Sequence, residues 1–252
     1  MNVETFNYSP ESLAPFFYLN KRDRKNIYIF PTEKETLEFY NNFSNFVPES
    51  SYFPAWDTLS YDSFTPSLEI QGKRLQTLHS LLVSDSFDIA MSMKSFTQKI
   101  FINDLDVIDV QIGQEVDFEN LIENLSFLGY VNKDRVESRG TFSIRGGQID
   151  IYPLNSEYPI RIIFNGDEVV ELKLFDYITQ RSIKNIKKVL ITPSSELFQT
   201  NQEDIYKSLE IESKKDLDEY ELFQFSQNLE NFKSLLDFVP DDVNINIIDF
   251  NS

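Results

Sequence analysis

The chain has 252 residues, 41% of them hydrophobic and 14% aromatic, enough for two compact units with real cores. A formal charge of −18 opposes phosphate backbones, while zero cysteines and a single histidine, His79, exclude disulfides, thiolate metal sites and a thiol nucleophile and leave no zinc cluster. No apolar run approaches the roughly 18 residues of a membrane span, and MNVETFNYSP has no basic region ahead of an apolar one, so a cytoplasmic protein without a membrane partner is expected.

In chain order, residues 9 to 21 read as a helix, with Ser9 as N-cap and Pro10 at the first helical position. Lys21 to Lys25 is a charged connector. Asn26 to Phe30 is a short apolar run of the kind that forms a buried parallel strand. Thr32 and Glu35 then make a capping box for a helix whose core stripe is expected at Leu37, Tyr40 and Phe43 or Phe46. Phe53 to Pro66 is aromatic-rich; Trp56, Tyr61 and Phe64 either stack on bases or pack the loop onto a sheet, and no basic groove accompanies them. A helix from Gln71 to Leu82 carries His79 near Leu75, Leu78 and Leu82, where it is expected to border the core instead of acting as a base.

A strand followed by a turn and a helix is the unit of a RecA-like sheet, yet the only Gly-Lys pair, Gly72-Lys73, precedes Arg74 instead of Ser or Thr. A phosphate-binding loop needs glycines so that backbone N–H groups can wrap the phosphates, so no nucleotide binding is expected. Phe87 to Met91 is a second buried strand, and Val107 to Ile112 a further one. Asp117 to Leu128 is an amphipathic helix with Phe118, Leu121, Ile122 and Leu125 inward, closed by Gly129.

Arg139 to Phe175 reads as a twisted antiparallel sheet. Phe142 and Ile144 alternate with polar neighbours, Gly146-Gly147 supplies a hairpin turn, and Ile149 and Ile151 resume the alternation. Ile160, Ile162 and Phe164 share one face, leaving Arg161, Ile163 and Asn165 on the other. Asn165-Gly166 is the expected turn dipeptide into Val169 to Phe175. Residues 116 to 200 carry a net charge of only −2, against −9 for residues 201 to 252. A nearly neutral, arginine-bearing patch on an acidic chain suits a protein partner better than DNA. Residues 201 to 252 read as acidic helices, Glu203 to Leu209 and about Asp216 to Leu236, and a last strand from Val243 to Asp249.

GTFSIRGGQIDIYP, YPIRIIFNGDEV and FDYITQRSI together resemble the UvrA-binding domain shared by UvrB and the transcription-repair coupling factors. Thr179-Gln180-Arg181 is the coupling-factor version, where UvrB usually has Thr-Gly. FPAWDTLSYDSFTP resembles the coupling-factor "W(D/E)TLPYD" segment, and the damage-probing hairpin of UvrB has no counterpart after it. The resemblance implies an α/β chain: a degenerate RecA-like domain without a P-loop, with an inserted α+β interaction domain built on a twisted antiparallel sheet. The first domain would span 1–112, the UvrA-interaction domain 113–200, and 201–252 would be an acidic return segment. The polymerase-binding and motor domains are expected to lie beyond this sequence.

It also implies that UvrA is met by Arg145 and Arg161, with Ile163 and Asn165 on the same strand face and Gly146, Gly147 and Asp150 in support. A guanidinium fork there would pair bidentately with a partner carboxylate. The residues alone equally allow a cross-strand ion pair. Asn165 stands where the family usually has a second aromatic. RNA polymerase, double-stranded DNA, ATP and Mg²⁺ would belong to the domains beyond this sequence, and no cofactor or catalytic residue to this chain. A stand-alone acidic protein or DNA mimic is the alternative. Paired-carboxylate catalysis at Asp167-Glu168 or Asp241-Asp242 is disfavoured, because adjacent strand residues point to opposite faces.

Overall fold

The computed structural model describes residues 2–6, 10–20, 25–58, 65–100, 105–196 and 234–248. It divides into two compact units, Met1–Phe101 with Ser226–Ser252, and Ile102–Phe225. The first unit opens with β1 (Asn2–Phe6), α1 (Pro10–Asn20), β2 (Lys25–Phe30), α2 (Glu33–Phe43) and β3 (Ser51–Phe53). It continues through α3 (Leu68–Val83), β4 (Phe87–Ser92) and α4 (Met93–Thr97). The second unit holds β5 (Ile108–Gln111), α5 (Phe118–Phe127), β6 (Val131–Asn132), β7 (Thr141–Ile144) and β8 (Gln148–Tyr152). It closes with β9 (Ile160–Asn165), β10 (Glu168–Phe175), β11 (Ser182–Ile186) and β12 (Lys188–Ile191), after which β13 (Asn244–Ile248) returns the chain to the first sheet.

The first sheet is wholly parallel, in the order β1-β13-β2-β4-β3. Both faces of β2 and β4 are covered, which is why NIYIF and FDIAM are continuous apolar runs without alternation. Leu13, Ala14 and Phe17 of α1 pack with Phe39 and Phe43 of α2 onto Tyr28, Phe30, Ala90 and Ile248. Thr32 caps α2, with Glu35 completing the capping box. The stripe of α2 is Thr36, Phe39 and Phe43; Leu37, expected in the core, is 44% exposed and Phe46 46%. Phe39, packed between the rings of Tyr28, Phe30 and Phe43, sets the helix's rotation, and Leu37 turns outward.

Trp56 is buried and packs the loop inward, with the Arg74 guanidinium 4.9 Å from its ring and 4.2 Å from Phe53. Tyr61, Phe64, Ser9 and the helices expected within 203–233 lie outside the described residues. Leu235–Asp237 is a single 3₁₀ turn. His79 is half-buried on α3, at the border of the core.

The second unit is a six-stranded sheet, β11-β10-β9-β8-β7-β6, antiparallel except for β6 with β7, beside the two-stranded β12-β5 pair. Because β5 pairs with β12, it lies in this unit, ahead of the boundary after residue 112 expected from the sequence. Asp117 caps α5, and Leu121 and Leu125 pack on Phe142, Ile149, Ile151, Ile160, Ile162, Phe164, Val169 and Leu172. Gly129 follows the helix at φ +84°, the left-handed residue that ends it.

Two glycine turns shape the sheet's tip. Arg145 and Gln148 exchange both backbone bonds across Gly146-Gly147, with only Gly146 left-handed at φ +58°. A Cβ at Gly147 would lie 3.2 Å from the Phe164 carbonyl, so this turn sits tightly on β9. The second turn differs from expectation: Asn165 pairs with Glu168, so its central residues are Gly166-Asp167, and Asn165 ends the strand. Gly166, at φ +62°, takes the first central position, as in a type II′ turn, which asks nothing unusual of Asn165.

Candidate protein-docking face

The strand register divides the second sheet into two faces. The apolar side of each strand meets α5. The other side lays out two cross-strand rows, Ser143–Asp150–Arg161–Lys173 and Arg145–Gln148–Ile163–Glu171, with Asn165 beyond them at the turn. The four residues expected to contact a partner, Arg145, Arg161, Ile163 and Asn165, therefore share this face, but their side chains are used differently.

Arg161 is spent within the fold. Its Nε and one terminal nitrogen donate to the two Asp150 oxygens, each at 2.8 Å, and its guanidinium lies 4.6 Å from the centre of the Phe175 ring. Asp150 is 3% exposed, accepts a third bond from the Gln148 amide at 3.0 Å, and holds the Arg161 pKa above its ordinary value. The Arg161 side chain is only 16% exposed, so its fork faces Asp150 and not solvent. Phe175 packs with Val136 and Tyr152 into a small apolar cluster on this side of the sheet.

Two loops close over that end. Arg135 donates to the carbonyls of Tyr177 and Ile178, and Gln180 donates to those of Tyr177 and Val136. Gln180 holds a left-handed backbone, φ +62°, a conformation that glycine adopts far more readily. Asp176 organises the same loop by accepting from the Thr179 backbone N–H and hydroxyl, and these bonds lower its pKa.

The other end is open. Arg145 is exposed, with one nitrogen donating to the Asp134 carbonyl at 2.8 Å; Ile163 is half-buried, and Asn165 and Glu171 are exposed. Glu171 is ion-paired with Lys173. Gln148, Glu171 and Lys173 were missed from sequence; the register shift between Val169 and Glu171 breaks the alternation carried over from β9, and only the local pattern Glu171-Leu172-Lys173-Leu174 signals the last two. Among the described residues no group of His, Asp and Glu could hold a metal ion, and no helix is long and apolar enough to cross a membrane.

This helix-backed antiparallel sheet, with its polar outer face and glycine turns, falls within residues 108–197, which match the UvrB interaction domain. The chain is accordingly similar to proteins of DNA repair. It is 28% identical to the transcription-repair-coupling factor of Escherichia coli over 175 residues, covering 68% of this chain and 15% of that protein. For the transcription-repair-coupling factor of Mycobacterium tuberculosis the figures are 31% over 142 residues, 53% and 12%. For UvrABC system protein B of Thermosipho africanus they are 27% over 177 residues, 69% and 26%. The chain thus spans between 12% and 26% of the length of these relatives.

Proposed function

We propose that this chain is the UvrA-recruiting module of a transcription-repair coupling factor, and that UvrA seats on the open row Arg145–Gln148–Ile163–Glu171 with Asn165 at its end. The observation that carries this reading is the uneven use of the two expected arginines. Arg145 offers a free guanidinium edge beside a half-buried isoleucine, the mixed apolar and cationic character of an interface core. Arg161, clamped to Asp150, holds β8 and β9 level beneath that row and acts as a positioning residue.

On the same reading the first unit is a degenerate RecA-like domain. Its sheet is all-parallel, and the turn from β2 into α2 is Pro31-Thr32 with no glycine. The Glu33 carboxylate accepts there from the Ala55 N–H and the hydroxyls of Tyr52 and Ser92, so an anion of the protein's own occupies the helix start where a phosphate would sit. RNA polymerase, double-stranded DNA, ATP and Mg²⁺ belong to other parts of a coupling factor.

Arg145→Glu should weaken co-elution with purified UvrA by at least about tenfold, with an unchanged circular dichroism spectrum. Undiminished binding refutes the site. The charge of −18 favours one second reading, a DNA mimic. In that case neutralising the acids of 201–252, and not Arg145→Glu, removes the interaction.

A further inference from the structure

We infer that β11 is a second docking edge, separate from the proposed UvrA row, and that it takes an extended peptide segment that combines acidic with aliphatic residues. β11 ends the six-stranded sheet and pairs only with β10, so its outer row of backbone N–H and C=O groups meets no strand among the described residues. Residues Ser182 to Asn185 are exposed and Ile186 half-buried. An open edge of this kind binds an added strand through its main chain and selects that strand through its side chains.

The side chains are distinctive for this protein. From Arg181 to Lys188 there are four basic residues and no acidic one, in a chain of net charge −18. Lys188 pairs with Asp109 at 2.6 Å, whereas among the described residues no carboxylate pairs with Arg181, Lys184 or Lys187. Lys184 lies opposite Leu174 and Ile186 opposite Leu172, on the helix side of the sheet, while Asn185 lies opposite Lys173 on the outer side. Ile183 lies at the register shift between Leu174 and Phe175 and is 52% exposed, and Ile178 in the preceding turn is 66% exposed. A strand added here meets Arg181, Lys184 and Lys187, cations that no described carboxylate pairs with, beside the exposed Ile183, which calls for acidic side chains accompanied by aliphatic ones.

A second copy fits poorly, since pairing β11 with itself sets lysines against lysines. A nucleic acid would use the lysines through its phosphates and leave the backbone row and Ile183 unused.

The test uses the whole chain and a labelled peptide of about nine residues alternating Glu and Val, matched to ordinary strand length. Binding is read by fluorescence anisotropy and the site by amide exchange. The expected result is saturable binding, slowed exchange within 182–186, and a loss of about tenfold in affinity in the double variant Lys184→Glu, Lys187→Glu. Arg145→Glu should leave peptide affinity unchanged, so a failure of the UvrA row and a failure of this edge are distinguishable. No binding, binding equally well to a Lys-Val peptide, or protection elsewhere overturns the inference; the lysines are then guards that blunt an edge against aggregation. Displacement of the peptide by a duplex oligonucleotide, with no protection of β11, overturns it in favour of a phosphate-binding patch.

Discussion

If Arg161 is a positioning residue, removing its partner should damage the fold before it damages recognition. Asp150→Ala leaves the Arg161 guanidinium over Phe175 without either carboxylate oxygen, and strands the Gln148 amide as well. Breaking a buried pair from one side costs about 3–5 kcal/mol, and the lower end applies because Arg161 keeps a 16% exposed edge through which water can solvate it. About 3 kcal/mol corresponds to a fall of roughly 10 °C in the melting temperature of a domain this size. Replacing both partners by apolar residues of similar shape, Asp150→Leu with Arg161→Met, should recover most of that loss, since neither charge is then left buried and alone. Urea unfolding followed by far-UV circular dichroism gives the free energies, and amide exchange at Ile149 and Ile162 locates the loss in the second sheet. A single variant costing under about 1 kcal/mol, or a double variant no better than the single ones, would refute the clamp.

The corrected stripe of α2 makes a sharp pair of variants: Phe39→Ala should cost about 3–5 kcal/mol, whereas Leu37→Ala, at a position 44% exposed, should cost under about 0.5 kcal/mol. Urea midpoints decide it, and equal costs would mean that the helix is rotated from the orientation described. The turn after β10 should be acid-sensitive. Asp176 has a depressed folded pKa, so its contribution is complete above the ordinary aspartate range and fades as pH falls through the lower folded value. Amide exchange at Thr179 and Gln180 should speed up only at that acid end, and Asp176→Asn should weaken the pH dependence; a change near neutrality would contradict the assignment.

Much of the sheet was legible because period-two alternation is a local signal: Ile160, Ile162 and Phe164 face the helix as their spacing requires, and Arg161, Ile163 and Asn165 face away. The parallel sheet was legible as two apolar runs, but its strand order was not, because inserting β13 between β1 and β2 depends on contacts more than two hundred residues apart. The shift of the second turn from Asn165-Gly166 to Gly166-Asp167 escaped because both dipeptides satisfy the same local chemistry; the pairing of Asn165 with Glu168 is what decides between them.

Arg145 and Arg161 look alike in sequence, each an arginine beside apolar strand residues, and only the third dimension separates them. Arg161 sits mid-strand, where its neighbour across β8 is Asp150, and a guanidinium held between a carboxylate and a phenyl ring gains more from that fork than from water. Arg145 sits at a turn, one residue past the last strand pair of β7, where its neighbour across the hairpin is the neutral Gln148. With no carboxylate opposite it, most of its fork remains for a partner. The same contrast recurs at the sheet's other edge, where Lys184 lies opposite Leu174 and no acid among the described residues claims it. An arginine or lysine on a sheet is therefore best judged by the residue it faces across the ladder, and on this protein that criterion places the available cations at the margins of the sheet.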